Sequence, residues 1–383
     1  MKILFASDVY FSRSNGTTIS AQRFVTRLRE RGHEVRVLTN HDERPLPEQD
    51  MYALKTQKVP GFNHLLATNG FAFAKTDRKI IREAIAWADV VHMMMNFPME
   101  KACTEICIEM HKPMTTAFHV QMENITSQFN WGNVRWLNKA LYRYFYRYFY
   151  SHHRFVHCPS QFMKDELIRY GYEGLDLRAI SNGVSEKFVY RRPPELGMFG
   201  TKFVVLMVGR LSHEKRQDLI IEAIRRSRYS HQIQLVFAGN GPLKKQLEKQ
   251  GEKLPVKPVF GYYTQEQLIE IMAQTDLYIH ASDMESEAIG CIEAFATGLV
   301  PIISNSRLSA TRQFALTERS LFEAGNAEDL KNQVEWWYEH REQLPEWEIR
   351  YAESAKQYQL KDSVDKFEQM LQDAIAYYQT LYA

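Results

Sequence analysis

Glu285-Ser286-Glu287-Ala288-Ile289-Gly290-Cys291-Ile292-Glu293, followed by Ala294-Phe295-Ala296-Thr297-Gly298, is the stretch on which the reading of this chain turns. Ahead of it, Asp276-Leu277-Tyr278-Ile279-His280 has the apolar run of a short buried strand, and Ala288 to Thr297 has helical spacing. Glu293 falls about 80° around the helix axis from the direction of Glu285, which itself belongs to the loop. A carboxylate at the carboxyl end of a strand, ahead of unpaired helix N–H groups, suits a polyhydroxylated anion: carboxylate to hydroxyls, helix start to phosphate. Alone, the same pattern is equally a helix with two solvated glutamates.

A second stretch supports the first. Val208-Gly209-Arg210-Leu211-Ser212-His213-Glu214-Lys215 follows the apolar run Phe203 to Val208, and helical spacing resumes from Gln217 to Arg226. Arg210 and Lys215 therefore lie on a loop at a strand's carboxyl end, where open α/β sheets bind ligands. Two permanent cations that close can neutralise a diphosphate, though alone they read as solvated loop cations. A third strand, Gln234 to Phe237, ends in Ala238-Gly239-Asn240-Gly241-Pro242. Gly239 and Gly241 would let backbone approach a ligand, or simply make a turn.

The ordered set Gly209-Arg210-Leu211 with Lys215, Gly239-Asn240-Gly241-Pro242, Phe260-Gly261 and Glu285 with Glu293-Ala294 resembles the C-terminal half of retaining glycosyltransferases of family four, which have the two-domain GT-B fold. The N-terminal half agrees through Asp8-Val9-Tyr10-Phe11, Ser14-Asn15-Gly16-Thr17-Thr18, Arg31-Gly32-His33-Glu34-Val35 and Ile180-Ser181-Asn182-Gly183-Val184. The similarity spans nearly the whole chain. Phe118-His119-Val120-Gln121-Met122-Glu123-Asn124 and the early Asn-Gly-Thr-Thr are most similar to enzymes that glycosylate diacylglycerol or related lipids.

The resemblance implies two Rossmann-like, doubly wound parallel sheets facing a central cleft. It implies transfer of a hexose, with retention, from a nucleotide-diphosphate sugar such as a UDP-hexose to a lipid or glycolipid hydroxyl. In it Arg210 and Lys215 hold the diphosphate, Glu285 the sugar hydroxyls and Glu293 the ribose, with Ala288, Ile289 and Gly290 at the helix start beside the donor. His119, after the apolar strand Met114 to Phe118, is expected to contact the donor sugar near the anomeric centre, and Gly16 to let backbone approach the donor diphosphate or the acceptor, or simply to make a turn. Asn15 and Thr17 fall on the acceptor side, and Asn182 and Gly183 are expected to line the cleft or form a structural turn. His92, His152, His153 and His157 are expected to be structural. No metal or other cofactor is required, and front-face attack hands the acceptor's proton to the departing phosphate oxygen. Other readings are a soluble or polymeric glycan acceptor, a nucleotide-sugar epimerase of the same shape, or a non-catalytic binding protein. An epimerase needs acids or bases poised at the sugar's C2, and no clear set is present.

Composition bounds the rest. The chain has 383 residues, 45% hydrophobic, enough for two domains of ordinary size. A formal charge of +2 argues against a nucleic-acid partner. Cys103, Cys107, Cys158 and Cys291 show no zinc spacing and read as buried thiols of a reducing compartment. The start reads as a first strand rather than a leader, and no window approaches the ~20 apolar residues of a membrane span. The expected location is cytoplasmic, with peripheral attachment to the inner membrane face. Strands are expected at 2–7, 34–39, 89–93, 114–118 and 155–158, then at 203–208, 234–237, 257–260, 277–280 and 300–303. Residues 1–190 form the expected acceptor-side domain and 195–358 the nucleotide-sugar domain. A hinge is expected between Phe188 and Gly197, and the helix 361–383 should return to the first domain.

One segment departs from this regularity. From Val134 to Arg154, Arg135, Lys139, Arg143 and Arg147 recur at steps of four, one helix face, beside Trp136, Tyr144 and Tyr148. No acidic residue occurs between Glu123 and Asp165. Such a face suits an anionic lipid surface, and equally the solvated edge of a packed helix.

Overall fold

The computed structural model describes residues 1–11, 16–43, 46, 50–58, 72–127, 131–132, 134–190 and 198–382. The chain divides into two compact units, Met1–Asn182 with Lys361–Ala383, and Gly183–Leu360. The division falls at Asn182–Gly183 rather than between Phe188 and Gly197. Arg191-Arg192-Pro193-Pro194 lies outside the described residues.

In unit 1, strands β1 (Lys2–Ala6), β2 (Glu34–Asn40), β3 (Met51–Leu54), β4 (Val90–Met93), β5 (Met114–Ala117), β6 (Phe155–Cys158) and β7 (Asp176–Ala179) form one sheet. The order is β3-β2-β1-β4-β5-β6-β7. Every pair is parallel; Phe5 of β1, for example, registers with Val37 on one side and His92 on the other. Helices cover it because their stripes are apolar: Gly16–Glu30 buries Ala21, Phe24, Val25 and Leu28 at helical spacing. Ser160 caps the helix Gln161–Arg169 by accepting from Met163 N–H at 3.2 Å, and Gly171 follows with φ +92°. The terminal helix Leu360–Leu381 buries Val364, Phe367, Met370, Leu371 and Ala374. Its Phe367 ring lies 4.6 Å from Phe24 and 4.8 Å from His92.

In unit 2, β8 (Phe203–Val208), β9 (Ile233–Ala238), β10 (Val259–Gly261), β11 (Leu277–His280), β12 (Met284–Glu285), β13 (Val300–Ser304), β14 (Leu308–Ser309) and β15 (Leu321–Phe322) repeat the plan. Six of them run β10-β9-β8-β11-β13-β15, and β12 pairs with β14. The helix Gln265–Met272 opens with the expected capping box, Thr264 with Gln267. Strands β3, β7, β12, β14 and β15 add to the expected set. They are only two to four residues long, and β7 reads Asp-Leu-Arg-Ala, so none stands out as an apolar run of strand length.

Both sheets reverse direction of winding once, between β1 and β4 and between β8 and β11. Doubly wound sheets bind ligands outside the carboxyl ends of their strands at such a switch point.

Candidate functional site

The loops after β8 and β11 flank the switch point of unit 2, and they carry Arg210, Lys215 and Glu285. The loop after β8 is pinned by its neighbour: Gly209 N–H donates to Ala238 O at 3.0 Å and Leu211 N–H to Asn240 O at 3.0 Å. A Cβ at Gly239 would stand 1.9 Å from Gly209 O, and one at Gly241 would stand 2.3 Å from Leu211 O. Backbone packing of one loop on the next therefore demands both glycines, a cause distinct from the ligand approach expected of them.

The charged groups form two linked pairs. Lys215 Nζ is ion-paired with Glu285 Oε1, and His280 Nε2 donates to the same oxygen at 2.9 Å. Arg210 Nη2 donates to Glu214 Oε1 at 2.8 Å, where Ser212 Oγ also donates at 2.6 Å. Gln217 Nε2 holds Arg210 O at 2.9 Å. Burial alone would push the Glu285 carboxyl up, but Lys215 and then His280 hold it well below the usual carboxylate range. Glu214 is lowered in the same way: burial opposes, and Arg210 and Ser212 prevail. Burial lowers His280 while Glu285 pulls it the other way, and its hydrogen bonds fit the neutral Nε2–H tautomer. The ammonium of Lys215 has three donors, so its pair with Glu285 leaves capacity toward an anion. The carboxylates thus fix the cations in place before any ligand arrives. Sequence reasoning does not single out His280 or Glu214; the signal for His280 is a titratable residue closing an otherwise apolar strand.

The helix Ile289–Ala296 begins in the same region. Its N-cap, Ala288, has φ 72° and ψ 73°, a left-handed conformation that costs a non-glycine residue about 1–2 kcal/mol. The turn it makes lets Cys291 N–H donate to Ala288 O at 3.0 Å, and leaves the N–H groups of Ile289 and Gly290 at the helix start. Gly290 is held close to β8, since a Cβ there would stand 3.3 Å from Val208 Cγ1. Glu293 is buried one turn farther along this helix.

In unit 1, His119 is buried beyond β5, with His157 edge-on at 5.2 Å; burial first, and His157 second, hold its imidazole well below the usual range. Gly16 opens its helix, with no atom of the described residues within 4 Å of a Cβ placed there. Thr17 is buried and Asn15 lies outside the described residues. Asn182 is buried and accepts from Ser20 Oγ. A Cβ at Gly183, whose φ is +76°, would meet Leu360 Cα at 2.7 Å, which makes this a position of close packing. His157 Nε2 donates to Ile180 O at 2.7 Å, His92 Nδ1 meets Thr115 Oγ1 at 2.8 Å and His153 Nδ1 meets Phe149 O at 3.1 Å; these three imidazoles are buried in the fold, whereas His152 is exposed.

The helix Arg135–Tyr148 turns Arg135, Lys139, Arg143 and Arg147 outward, with Trp136 74% exposed and Tyr144 55% exposed among them. Its inner face is anchored by Tyr142, whose hydroxyl donates to Glu123 at 3.0 Å, and by Asn138, which accepts from Thr126 at 2.7 Å. Among the described residues no group of three or more His, Cys, Asp or Glu could hold a metal ion, and no helix is long and apolar enough to cross a membrane.

Comparison with known proteins follows the same division. Residues 14–188 match Glycosyltransferase Family 4, and residues 191–358 match Glycosyl transferases group 1. The alpha-monoglucosyldiacylglycerol synthase of Streptococcus pneumoniae is 24% identical over 323 residues, 80% of this chain and 71% of that protein. The solved Anabaena Alr3699/HepE in complex with UDP-glucose superposes with a TM-score of 0.76 at 17% identity, covering 97% of this chain and 100% of that one. The solved catalytic domain of the Helicobacter pylori cholesterol-alpha-glucosyltransferase is 47% identical, covering 41% of this chain and 99% of that one; its TM-score of 0.40 is too low to speak to the fold. With both halves matched and two parallel-sheet units in place, the chain belongs to the family-four, group-1 glycosyltransferases and is a glycosyltransferase of GT-B fold.

Proposed function

We propose that this protein moves a hexose, with retention, from a UDP-hexose to a hydroxyl of a lipid or glycolipid acceptor, giving an α-glycosidic bond without a metal ion. The observation that carries the reading is the pre-paired Lys215–Glu285 couple at the switch point of unit 2, beside the helix start at Ala288–Gly290. Cleaving the anomeric C–O bond develops positive charge on the sugar and negative charge on the diphosphate. Cations and N–H groups already in position stabilise that charge with little reorganisation, and no other effect open to such a site lowers the barrier as much. Lys215 and Arg210 take the diphosphate, Glu285 the sugar hydroxyls and Glu293 the ribose. The departing phosphate oxygen takes the acceptor's proton. His119 is assigned to the donor sugar, and Gly16 and Thr17 to the loop beside donor and acceptor, by family resemblance.

The lipid acceptor is supported by the streptococcal relative's name and by the outward cations and Trp136 of the helix Arg135–Tyr148. Incubation with radiolabelled UDP-glucose and UDP-galactose, with and without lipid extract, tests the reaction. The expected result is label in an α-linked glycolipid, undiminished by chelator; label only in water-soluble glycan, or a strict need for divalent metal, contradicts the reading. For the membrane, each outward cation contributes ~1 kcal/mol at an anionic surface. Replacing Arg135, Lys139, Arg143 and Arg147 by Gln is then expected to abolish salt-sensitive sedimentation with anionic vesicles while sparing nucleotide binding. Sedimentation unchanged by the four substitutions makes this helix purely structural.

A further inference from the structure

At the switch point of unit 1, where its twin in unit 2 holds the Lys215–Glu285 pair, two carboxyl groups are buried side by side. Asp8 follows β1 and is 1% exposed; Glu100 lies in the first turn of the helix Pro98–Glu109, which follows β4, and is 0% exposed. Their backbones and side chains interlock. Asp8 N–H donates to Glu100 Oε1 at 3.3 Å, and Ala74 N–H donates to Asp8 Oδ1 at 2.7 Å. The two carboxyl groups are close enough for each to act on the other's ionisation. Each has one oxygen, Asp8 Oδ2 and Glu100 Oε2, that is buried with no donor among the described residues. Two acceptors facing each other have no attraction unless a hydrogen lies between them, and two carboxylates in contact inside a protein do not both ionise.

Among the described residues, no cation is paired with either carboxyl. The titratable groups whose ionisation the pair bears on are the thiol of Cys103, which feels both carboxyls, and the phenols of Tyr148 and Tyr150, which feel Glu100. Thr104 donates its hydroxyl hydrogen to Glu100 O at 2.9 Å, and His153 meets Thr104 and Met93. Lys101, the next residue along, lies 4.0 Å from Glu105 and 5.4 Å from the Tyr148 ring. Among the described residues, then, a proton is the species that neutralises this buried pair and gives an orphaned carboxyl oxygen a hydrogen to donate.

We propose that Asp8 and Glu100 share one proton, and that this proton latches the end of β1 to the helix Pro98–Glu109 and to the chain at Ala74. The latch is a conformational device of unit 1 and is independent of which sugar or acceptor the enzyme uses. Burial pushes the Asp8 carboxyl up to about 7, and burial together with Asp8 pushes Glu100 well above its usual range. Raised values give the sign: the stabilisation is complete below the unfolded carboxyl range and is lost as pH rises through about 7 and beyond.

Infrared spectra of the full chain, taken as a pH series, test this directly. The carbonyl band of a protonated carboxylic acid is expected at neutral pH, bleaching as pH rises, and missing from both Glu100→Gln and Asp8→Asn. Asp276, whose carboxyl burial pushes up to about 6, gives a band of the same kind that survives both substitutions. Between pH 6 and 8.5 the wild-type melting temperature is expected to fall by roughly 4 °C or more relative to Glu100→Gln. The buried histidines are common to both proteins and drop out of that difference. Over the same range, exchange of the Ala74 amide should quicken in the wild type alone. A band untouched by either substitution, or parallel pH–stability profiles, overturns the proposal. If Glu100→Gln does not fold, Asp8→Asn and the pH response of the wild-type band decide the matter.

Discussion

In unit 2, Glu285 is buried beside Lys215 and His280; in unit 1, Asp8 and Glu100 are buried beside each other, at the corresponding turn of a sheet wound in the same order. Burial opposes ionisation in both places, and the neighbour decides the outcome. A cation keeps Glu285 charged and leaves an electrostatically complete site to which an anion can add. A second carboxyl leaves unit 1 with a group that is satisfied only by a proton. The same topology thus yields one switch point built for charge and another built for neutrality. Burying a cation–carboxylate pair adds little stability for its desolvation, so the pair in unit 2 is better explained by ligand chemistry than by folding.

Acid should separate the units most. His92, His119, His153 and His157 of unit 1 are buried, and burial holds all four down, His153 to about 3 and His157 to about 4. Lowered imidazoles give stability that is complete above about 6.5 and lost as pH falls through the folded values, each at up to ~1.4 kcal/mol per pH unit. The Asp8–Glu100 pair works the other way, with one proton against four. Unit 2 has one such imidazole, His280, and its lowered Glu285 and Glu214 resist acid until below the ordinary carboxyl range. Hydrogen exchange corrected for intrinsic rate, compared at pH 7 and pH 5, is expected to show protection lost first in unit 1, by several kcal/mol. Equal loss in both units removes the distinction.

Removing the cation attacks the comparison from the other side. Lys215→Ala leaves Glu285 buried with His280 alone, and turnover is expected to fall on the order of 10²-fold or more. The fold should survive, because a loop cation carries little packing. The residual activity should gain an acid limb that the wild type lacks, since the Glu285 carboxyl is then released upward into the titrated range. A folded Lys215→Ala protein with full turnover would falsify the assignment of Lys215 to the diphosphate.

How much of this can be read from the chain alone follows from how local each feature is. Arg210, Lys215 and Glu285 are legible because each follows a recognisable apolar strand, and strand ends converge at a switch point whatever the loops do. The capping box at Thr264 and the stripe of Leu360–Leu381 are legible for the same reason. Strands β7 and β15 are not: Asp-Leu-Arg-Ala and a two-residue Leu-Phe gain their identity only from partners in the sheet. Nor is the Asp8–Glu100 contact, whose members are 92 positions apart. Gly239 and Gly241 stand out in the chain, but a sequence does not distinguish a glycine that admits a ligand from one that admits another loop.

That distinction is testable by steric contrast. Gly239→Ala places a methyl 1.9 Å from Gly209 O, and the loops must part. A loss of about 2–3 kcal/mol in unit 2 is expected, as for other overpacked sites. Gly16→Ala, whose new methyl meets no atom of the described residues within 4 Å, is expected to stay within about 0.5 kcal/mol. Thermal melts of the two variants check this, and equal destabilisation defeats the loop-packing account of Gly239.

The smallest expected effect concerns Ala288, whose left-handed backbone is an expense unit 2 bears at the start of its site helix. Ala288→Gly removes the Cβ clash while keeping the same turn. If the strain is real, the gain is about 1 kcal/mol, or roughly 2–4 °C in the melting temperature of a unit this size. Glycine also widens the choices open to the unfolded chain, which takes back part of that gain. The informative reading is therefore activity beside stability. A rigid Ala288 presents the Ile289 and Gly290 N–H groups in one direction, so Ala288→Gly should raise the Michaelis constant for the nucleotide sugar a few-fold even as the melting temperature rises. A rise in stability with unchanged kinetics makes the strain incidental to the site. A fall in stability means the conformation at 288 is set by its surroundings and carries no strain to release.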